Sequence, residues 1–82
     1  MDREQIKSHI LRALQSNVEG LKGKAIDTSR SMLDMGATSL DVVEIVSAVM
    51  RELQIRVPRT QLAKLRTIDD LTDLLHKIKS GG

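Results

Sequence analysis

Ser39-Leu40-Asp41-Val42-Val43-Glu44-Ile45-Val46-Ser47-Ala48-Val49-Met50-Arg51-Glu52-Leu53 is the stretch that decides the fold. Leu40, Val43, Val46, Val49, Met50 and Leu53 recur at helical spacing, and Val42 and Ile45 widen the stripe. A face this broad predicts a helix from Ser39 to Leu53 at the centre of a core. Its β-branched residues have only moderate helix propensity, so packing must hold it.

On the N-terminal side, Ile6, Ile10, Leu11, Leu14 and Val18 share one face of a helix over Arg3–Val18. Gly20 and Gly23 break it. Residues 19–38 read as an irregular loop with Ile26, Met32, Leu33 and Met35 as apolar anchors. A loop of this length is uncommon in a compact domain. Either it contains a helical turn near Thr28–Leu33, or it is a functional connection packed by its own apolar residues.

On the C-terminal side, Gln54–Pro58 is a connection, because Pro58 steers Val57 away from helical geometry. A short helix is expected over Thr60–Leu65, and a last one over Asp69–Lys79 with Leu71, Leu74, Leu75 and Ile78 on its face. Asp69 and Asp70 at its start and Lys77 and Lys79 near its end suit the helix dipole. Ser80-Gly81-Gly82 is expected to be a flexible tail. Ile55-Arg56-Val57 alternates but is too short to found a sheet. The expectation is an all-α bundle in a single domain over residues 1–82, with its core in about 5–78.

Composition narrows the chemistry. With 82 residues the chain expects a modest core, and with no Phe, Tyr or Trp that core must be aliphatic. The missing aromatics also remove a stacking surface for single-stranded nucleic acid. No Cys means no disulfide, no thiolate metal site and no thiol catalysis. Thirteen basic against eleven acidic residues give a net charge of +2, without the dense basic stripe of a nucleic-acid binder. No apolar run approaches the roughly 20 residues of a membrane span, and the polar start lacks a secretory segment. A cytoplasmic, monomeric protein is expected, more naturally free-standing than excised from a larger chain.

Ser39 is the candidate functional residue. At a helix start its hydroxyl is exposed, and a phosphate bonded to it would meet unsatisfied N–H groups and the positive end of the dipole. The pattern Gly36-x-x-Ser39 is weak alone, and a plain N-cap is then the stronger reading. Thr38 is a second candidate for that cap. His9 and His76 lie far apart in sequence and read as solvated or helix-end residues; no metal site is expected. Neither has a motif relation to Ser39, so a hydrolase nucleophile is not supported. Met32, Met35 and Met50 read as core fillers, or as the lining of a soft cleft for an acyl chain.

The extended run Asp34-x-Gly36-x-x-Ser39-Leu40-Asp41-x-Val43-Glu44 resembles the attachment motif of the acyl carrier protein family. Ile55-x-Val57-Pro58 and Thr67-Ile68-x-Asp70-Leu71 resemble that family as well, so the likeness spans about residues 5–78. It implies a four-helix bundle with a long first loop and a short third helix. It implies that a phosphopantetheinyl transferase esterifies Ser39 with 4′-phosphopantetheine from coenzyme A. The arm's thiol would then carry an acyl thioester, and catalytic residues would belong to partner enzymes. Thr38, Leu40, Asp41, Glu44 and Arg59 are the candidate partner-touching residues. Leu40 reads first as an ordinary core or semi-exposed apolar residue, and only then as part of a partner surface. Asp41 and Glu44 also read as plain first-turn charges, and Asp34 as a cap, a tether or a solvated group. Gly36 permits a backbone conformation or a close approach that a Cβ would hinder.

Two departures refine the likeness. Thr38 stands where the familiar motif has Asp, and Arg51, Arg59, Lys64 and Arg66 make the region after the serine basic rather than acidic. Partners that read a dense acidic face should bind it less well. Gly36-Ala37-Thr38-Ser39-Leu40 and Val57-Pro58-Arg59 look more like free-standing carriers of polyketide pathways. Some of these donate an acetyl unit derived from malonyl to an HMG-synthase-like enzyme in β-branching; ketosynthases and acyltransferases are further expected partners. A peptidyl, aryl or general fatty-acid carrier is the alternative. From another class, an unmodified helical interaction module or a small basic nucleic-acid-binding bundle remains open.

Overall fold

The computed structural model describes residues 2–63 and 65–81, with Arg59 in its backbone only. Four helices follow in order: α1 (Arg3–Asn17), α2 (Ser39–Leu53), α3 (Arg59–Leu62) and α4 (Ile68–Gly81). No strand occurs among the described residues, so the expected all-α bundle with a long first loop and a short third helix is what forms.

Local chemistry sets the ends of α1. Asp2 and Gln5 form a capping box: Gln5 N–H donates to Asp2 Oδ1 at 2.9 Å, and Asp2 N–H donates to Gln5 Oε1 at 3.0 Å. Ile6, Ile10 and Leu14, four residues apart, form its buried line. Val18 ends the helix as its C-cap, one residue inside the expected boundary.

The loop after α1 is built rather than slack. It holds two short 3₁₀ turns, Glu19–Leu21 and Leu33–Met35, the second just beyond the turn expected near Thr28–Leu33. Gln15 Nε2 donates to the carbonyls of Leu21 and Lys24, both at 3.3 Å. Met32 and Ala37 are buried and bring the loop into the core. The carbonyls of Arg30 and Thr28 accept from the N–H groups of Ile68 and Asp69 at 3.2 and 2.9 Å. Those are first-turn donors of α4, which have no partner inside their own helix. The loop therefore caps a helix through residues 38 and 41 positions further along the chain.

Helix α4 completes its own start with a second box. Asp70 N–H donates to Thr67 Oγ1 at 3.0 Å, while Asp70 Oδ2 accepts from the N–H groups of Thr67 and Arg66, each at 3.2 Å. Thr72 is fully buried, its hydroxyl donating to the Ile68 carbonyl at 2.8 Å. The helix runs through Ser80 to Gly81, past the tail expected there; Gly82 lies outside the described residues. Lys79 Nζ reaches the Leu53 carbonyl at 2.9 Å and so closes the end of α2.

The core is aliphatic, as the composition requires. Ile6, Ile10 and Leu14 of α1 meet Ile45, Val49 and Leu53 of α2 and Ile68, Leu71 and Leu75 of α4. Around it, Arg3 pairs with Asp73 at 2.6 Å and Asp69 at 3.6 Å, and Lys7 pairs with Asp69 at 3.6 Å. These pairs bring the starts of α1 and α4 together. His9 Nδ1 lies 3.0 Å from Glu52 Oε2, linking α1 to α2.

Two expectations about α2 and α3 need correction. Leu40 and Val43 are not core: they are 69% and 60% exposed. The buried arc of α2 is centred on Ile45, Val49 and Leu53, and Leu40 lies about 140° round the helix from Ile45. The second concerns α3, which is a single turn over Arg59–Leu62 rather than Thr60–Leu65. Its last two donors are met by the Pro58 carbonyl, which accepts from the N–H groups of Gln61 and Leu62 at 3.0 and 3.2 Å.

This packing predicts that Ile45→Ala costs about 2–5 kcal/mol of unfolding free energy and that Leu40→Ala stays within about 0.5 kcal/mol, measured by urea denaturation. The caps predict an acid limit. The Thr67 N–H, then the Arg66 N–H and charge, hold the Asp70 carboxyl below its ordinary range. The Ser29 hydroxyl and N–H do the same for Asp27. A carboxylate whose folded pKa is depressed adds stability above its unfolded pKa and loses it as pH falls through the folded value. Thermal melts taken from neutral pH to below 3.8, the ordinary aspartate value, should show this loss in the wild type and a shallower one in Asp70→Asn.

Candidate functional site

The site begins with the start of α2. Thr38, with φ −84° and ψ 168°, is the N-cap, and Ser39 is the first helical residue. Asp41 N–H donates to Thr38 Oγ1 at 3.1 Å, and Thr38 N–H donates to Asp41 Oδ2 at 3.0 Å. The plain N-cap reading of Ser39 is thereby replaced, because the neighbouring threonine does that work. Ser39 is exposed, and its hydroxyl has no hydrogen-bond partner among the described residues. The N–H groups of Ser39 and Leu40 likewise have no acceptor there. An exposed hydroxyl beside two free backbone donors at the positive end of a 15-residue helix is suited to carry a phosphate.

Gly36 orients the approach to this serine. It adopts φ 102° as the left-handed end of the Leu33–Met35 turn, its N–H donating to the Leu33 carbonyl at 3.2 Å. A Cβ there would meet nothing within 4 Å. Of the two reasons open for this glycine, conformation applies and close approach does not. Asp34 receives a bond only at its backbone: its N–H donates to Ser31 Oγ at 3.1 Å, and its carboxylate is exposed and bonds to no described residue.

The remaining candidates divide. Glu44 is exposed and makes no ion pair among the described residues. Thr38 and the half-buried Asp41 are committed to the cap. Leu40 is exposed, and sequence reasoning missed its two apolar companions: Val43, placed in the core stripe, and Leu33, placed as a loop anchor and found 56% exposed. For Val43 the signal was the excess width of the apolar stripe; Leu33, in the loop before it, gave none. The side chain of Arg59 and the whole of Lys64 lie outside the described residues.

Beside Ser39 opens a cavity of about 710 Å³ between α2, α3, the first loop and the start of α4. Met32, Leu33, Val42, Val43, Val46, Met50 and Leu62 line it, with Ser31, Ser47, Arg66 and Thr67 as its polar members besides Ser39. Two of the three methionines expected to fill core or line a cleft do line it; Met35 does not. His9 is engaged with Glu52, and no cluster able to hold a metal occurs among the described residues. No helix among them is long and apolar enough to cross a membrane.

Comparison with known proteins adds identity to this geometry. The family described as "PP-binding: Phosphopantetheine attachment site" matches residues 9–75. The Bacillus subtilis (strain 168) protein named "Polyketide biosynthesis acyl-carrier-protein AcpK" is 26% identical, over 98% of this chain and 99% of its own. An acyl carrier protein of Wolinella succinogenes is 34% identical, over 83% of this chain and 84% of its own. In the crystal structure of the curacin biosynthetic pathway HMG synthase in complex with acetyl donor-ACP, one chain matches at TM-score 0.84 and 28% identity. That match covers 93% of this chain and 97% of the other. The free hydroxyl and donors at the start of α2 fit the prosthetic group of those relatives: the chain belongs to the acyl carrier proteins, the family that bears 4′-phosphopantetheine.

Proposed function

We propose that Ser39 is the attachment residue and that the chain, as a single carrier domain, presents a malonyl-derived acetyl unit to an HMG-synthase-like enzyme of a polyketide β-branching cassette. The observation that carries the attachment is the exposed, unbonded Ser39 hydroxyl with the free N–H groups of Ser39 and Leu40 beside it. The finer role draws support from the two relatives whose names join a carrier to polyketide biosynthesis and to an HMG synthase.

When bound, 4′-phosphopantetheine supplies a flexible chain ending in a thiol that holds an acyl group as a thioester. The protein's own residues supply position. Thr38 and Asp41 fix the helix start, so the Ser39 oxygen stands at a defined point. The free N–H groups and the dipole stabilise an anion there. Leu33, Leu40 and Val43 offer exposed apolar surface around it, and Glu44 adds a free charge for a partner to read. Tethering raises the local concentration of cargo near a docked enzyme, so no catalytic group is required of the carrier. A phosphopantetheinyl transferase would install the arm, and we place the protein in the cytoplasm as a monomer.

Incubation with coenzyme A and a broad-specificity transferase should add one 4′-phosphopantetheine to the wild type and none to Ser39→Ala, read by intact mass. An unmodified, correctly folded wild type would sink the attachment. For the finer role, the holo protein should be retained by an HMG-synthase-like enzyme and bind a fatty-acid ketosynthase more weakly. Equal or stronger binding to the ketosynthase would favour a general carrier, a role to which the relatives named simply acyl carrier protein also point.

A further inference from the structure

The cavity beside Ser39 holds one feature that a purely apolar acyl slot would not need. Among its described lining residues Arg66 alone is charged, and none is acidic. Arg66 stands just before α4, on the wall shared with Leu62 and Thr67, while Ser39 stands on the α2 wall. Ion pairing elsewhere leaves this guanidinium available: Asp69 and Asp73 are taken by Arg3 and Lys7 of α1. Asp70 is the acidic group near it and feels the Arg66 charge, but no ion pair joins the two among the described residues, and that carboxylate already accepts two backbone N–H groups.

A loaded arm rooted at Ser39 can carry only two kinds of anionic oxygen, that of the phosphate and any carboxylate of its cargo. One is the phosphate at its root, which Ser39 and Leu40 N–H groups serve directly. The pantetheine chain beyond it is neutral, made of amides, a hydroxyl and the sulfur. With the phosphate served by those backbone donors, the anion left for Arg66 is one carried by the cargo. Guanidinium recognises a carboxylate through parallel N–H donors, and the exposed Arg66 sets these beside the apolar lining of the cavity. We propose that Arg66 makes this cavity a binding site for an acyl group ending in a carboxylate, of the malonyl or succinyl type. The site rests on the attachment at Ser39. It distinguishes acid-ended cargo from acetyl cargo by charge, holding the first in the cavity and leaving the second free for a partner.

The test compares one protein carrying four cargoes. A broad-specificity transferase would load wild type, Arg66→Gln and Arg66→Lys from acetyl-, butyryl-, malonyl- and succinyl-coenzyme A, with intact mass recording each adduct. Butyryl is the uncharged control of similar size. NMR would follow the Arg66 Nε–H and the methyl groups of Val46 and Leu62. The site predicts shifts at these positions in the malonyl and succinyl forms that the acetyl and butyryl forms lack. In Arg66→Gln the methyl shifts should be lost, and in Arg66→Lys partly kept. Arg66 is exposed, so these variants should fold, and their unloaded spectra check that. Equal shifts for charged and uncharged cargo, or full retention in Arg66→Gln, would overturn the site and leave the carrier intact. Absence of any adduct on folded wild type would overturn the attachment and the site together.

Discussion

Two backbone hydrogen bonds hold this molecule in its working shape: Ile68 N–H to the Arg30 carbonyl and Asp69 N–H to the Thr28 carbonyl. Each satisfies a helix-start donor of α4 that has no partner within its own helix. Each also pins the middle of a connection that would otherwise be a costly length of unordered chain. Because the connection is pinned, Met32 and Ala37 enter the core, and Met32 and Leu33 become a wall of the cavity. The turn that delivers Gly36 and Thr38 to the start of α2 hangs from the same anchor. The site is thus held on one side by a helix and on the other by a loop fixed to a different helix.

At the start of α2 the division of labour between Thr38, Ser39 and Asp41 matters more than the serine alone. A helix start needs a cap, and a serine used for that purpose would turn its hydroxyl inward to the backbone. Here the threonine takes the bond from Asp41 N–H, and the aspartate takes the bond from Thr38 N–H. The serine between them keeps its hydroxyl and its own N–H free. Asp41 shows the other side of this arrangement: a carboxylate committed to its helix is less available to a visiting enzyme than the exposed Glu44.

The three long helices and the place of Ser39 could be read from periodicity, because their core residues repeat every three or four positions with little interruption. Periodicity fails where an apolar residue serves a surface. Leu40 and Val43 carry the same hydropathy as Val46 and Val49, and only the direction of packing separates them. The bonds from Thr28 and Arg30 were invisible for another reason: they use main-chain carbonyls, which every residue has. Arg66 belongs to the cavity through tertiary packing alone, since 27 positions separate it from Ser39. Capping lay between these extremes. Thr38 and Ser39 were both open candidates, and a neighbouring Asp three residues on from the threonine was the signal that favours it.

The core also has a mechanical asymmetry. Where α1 meets α2 and α4, the buried side chains include Ile6, Ile10, Ile45, Val49 and Ile68, which are stiff at χ1 and tolerate little change of shape. Across α2, the cavity wall mixes the β-branched Val42, Val43 and Val46 with Met32 and Met50, whose unbranched thioether chains change rotamer readily. Strain imposed by a guest would therefore fall first on those two methionines. The rigid frame would keep the bearing of Ser39 constant, so the tether's origin stays in register with a docked enzyme whether the wall behind it is full or empty.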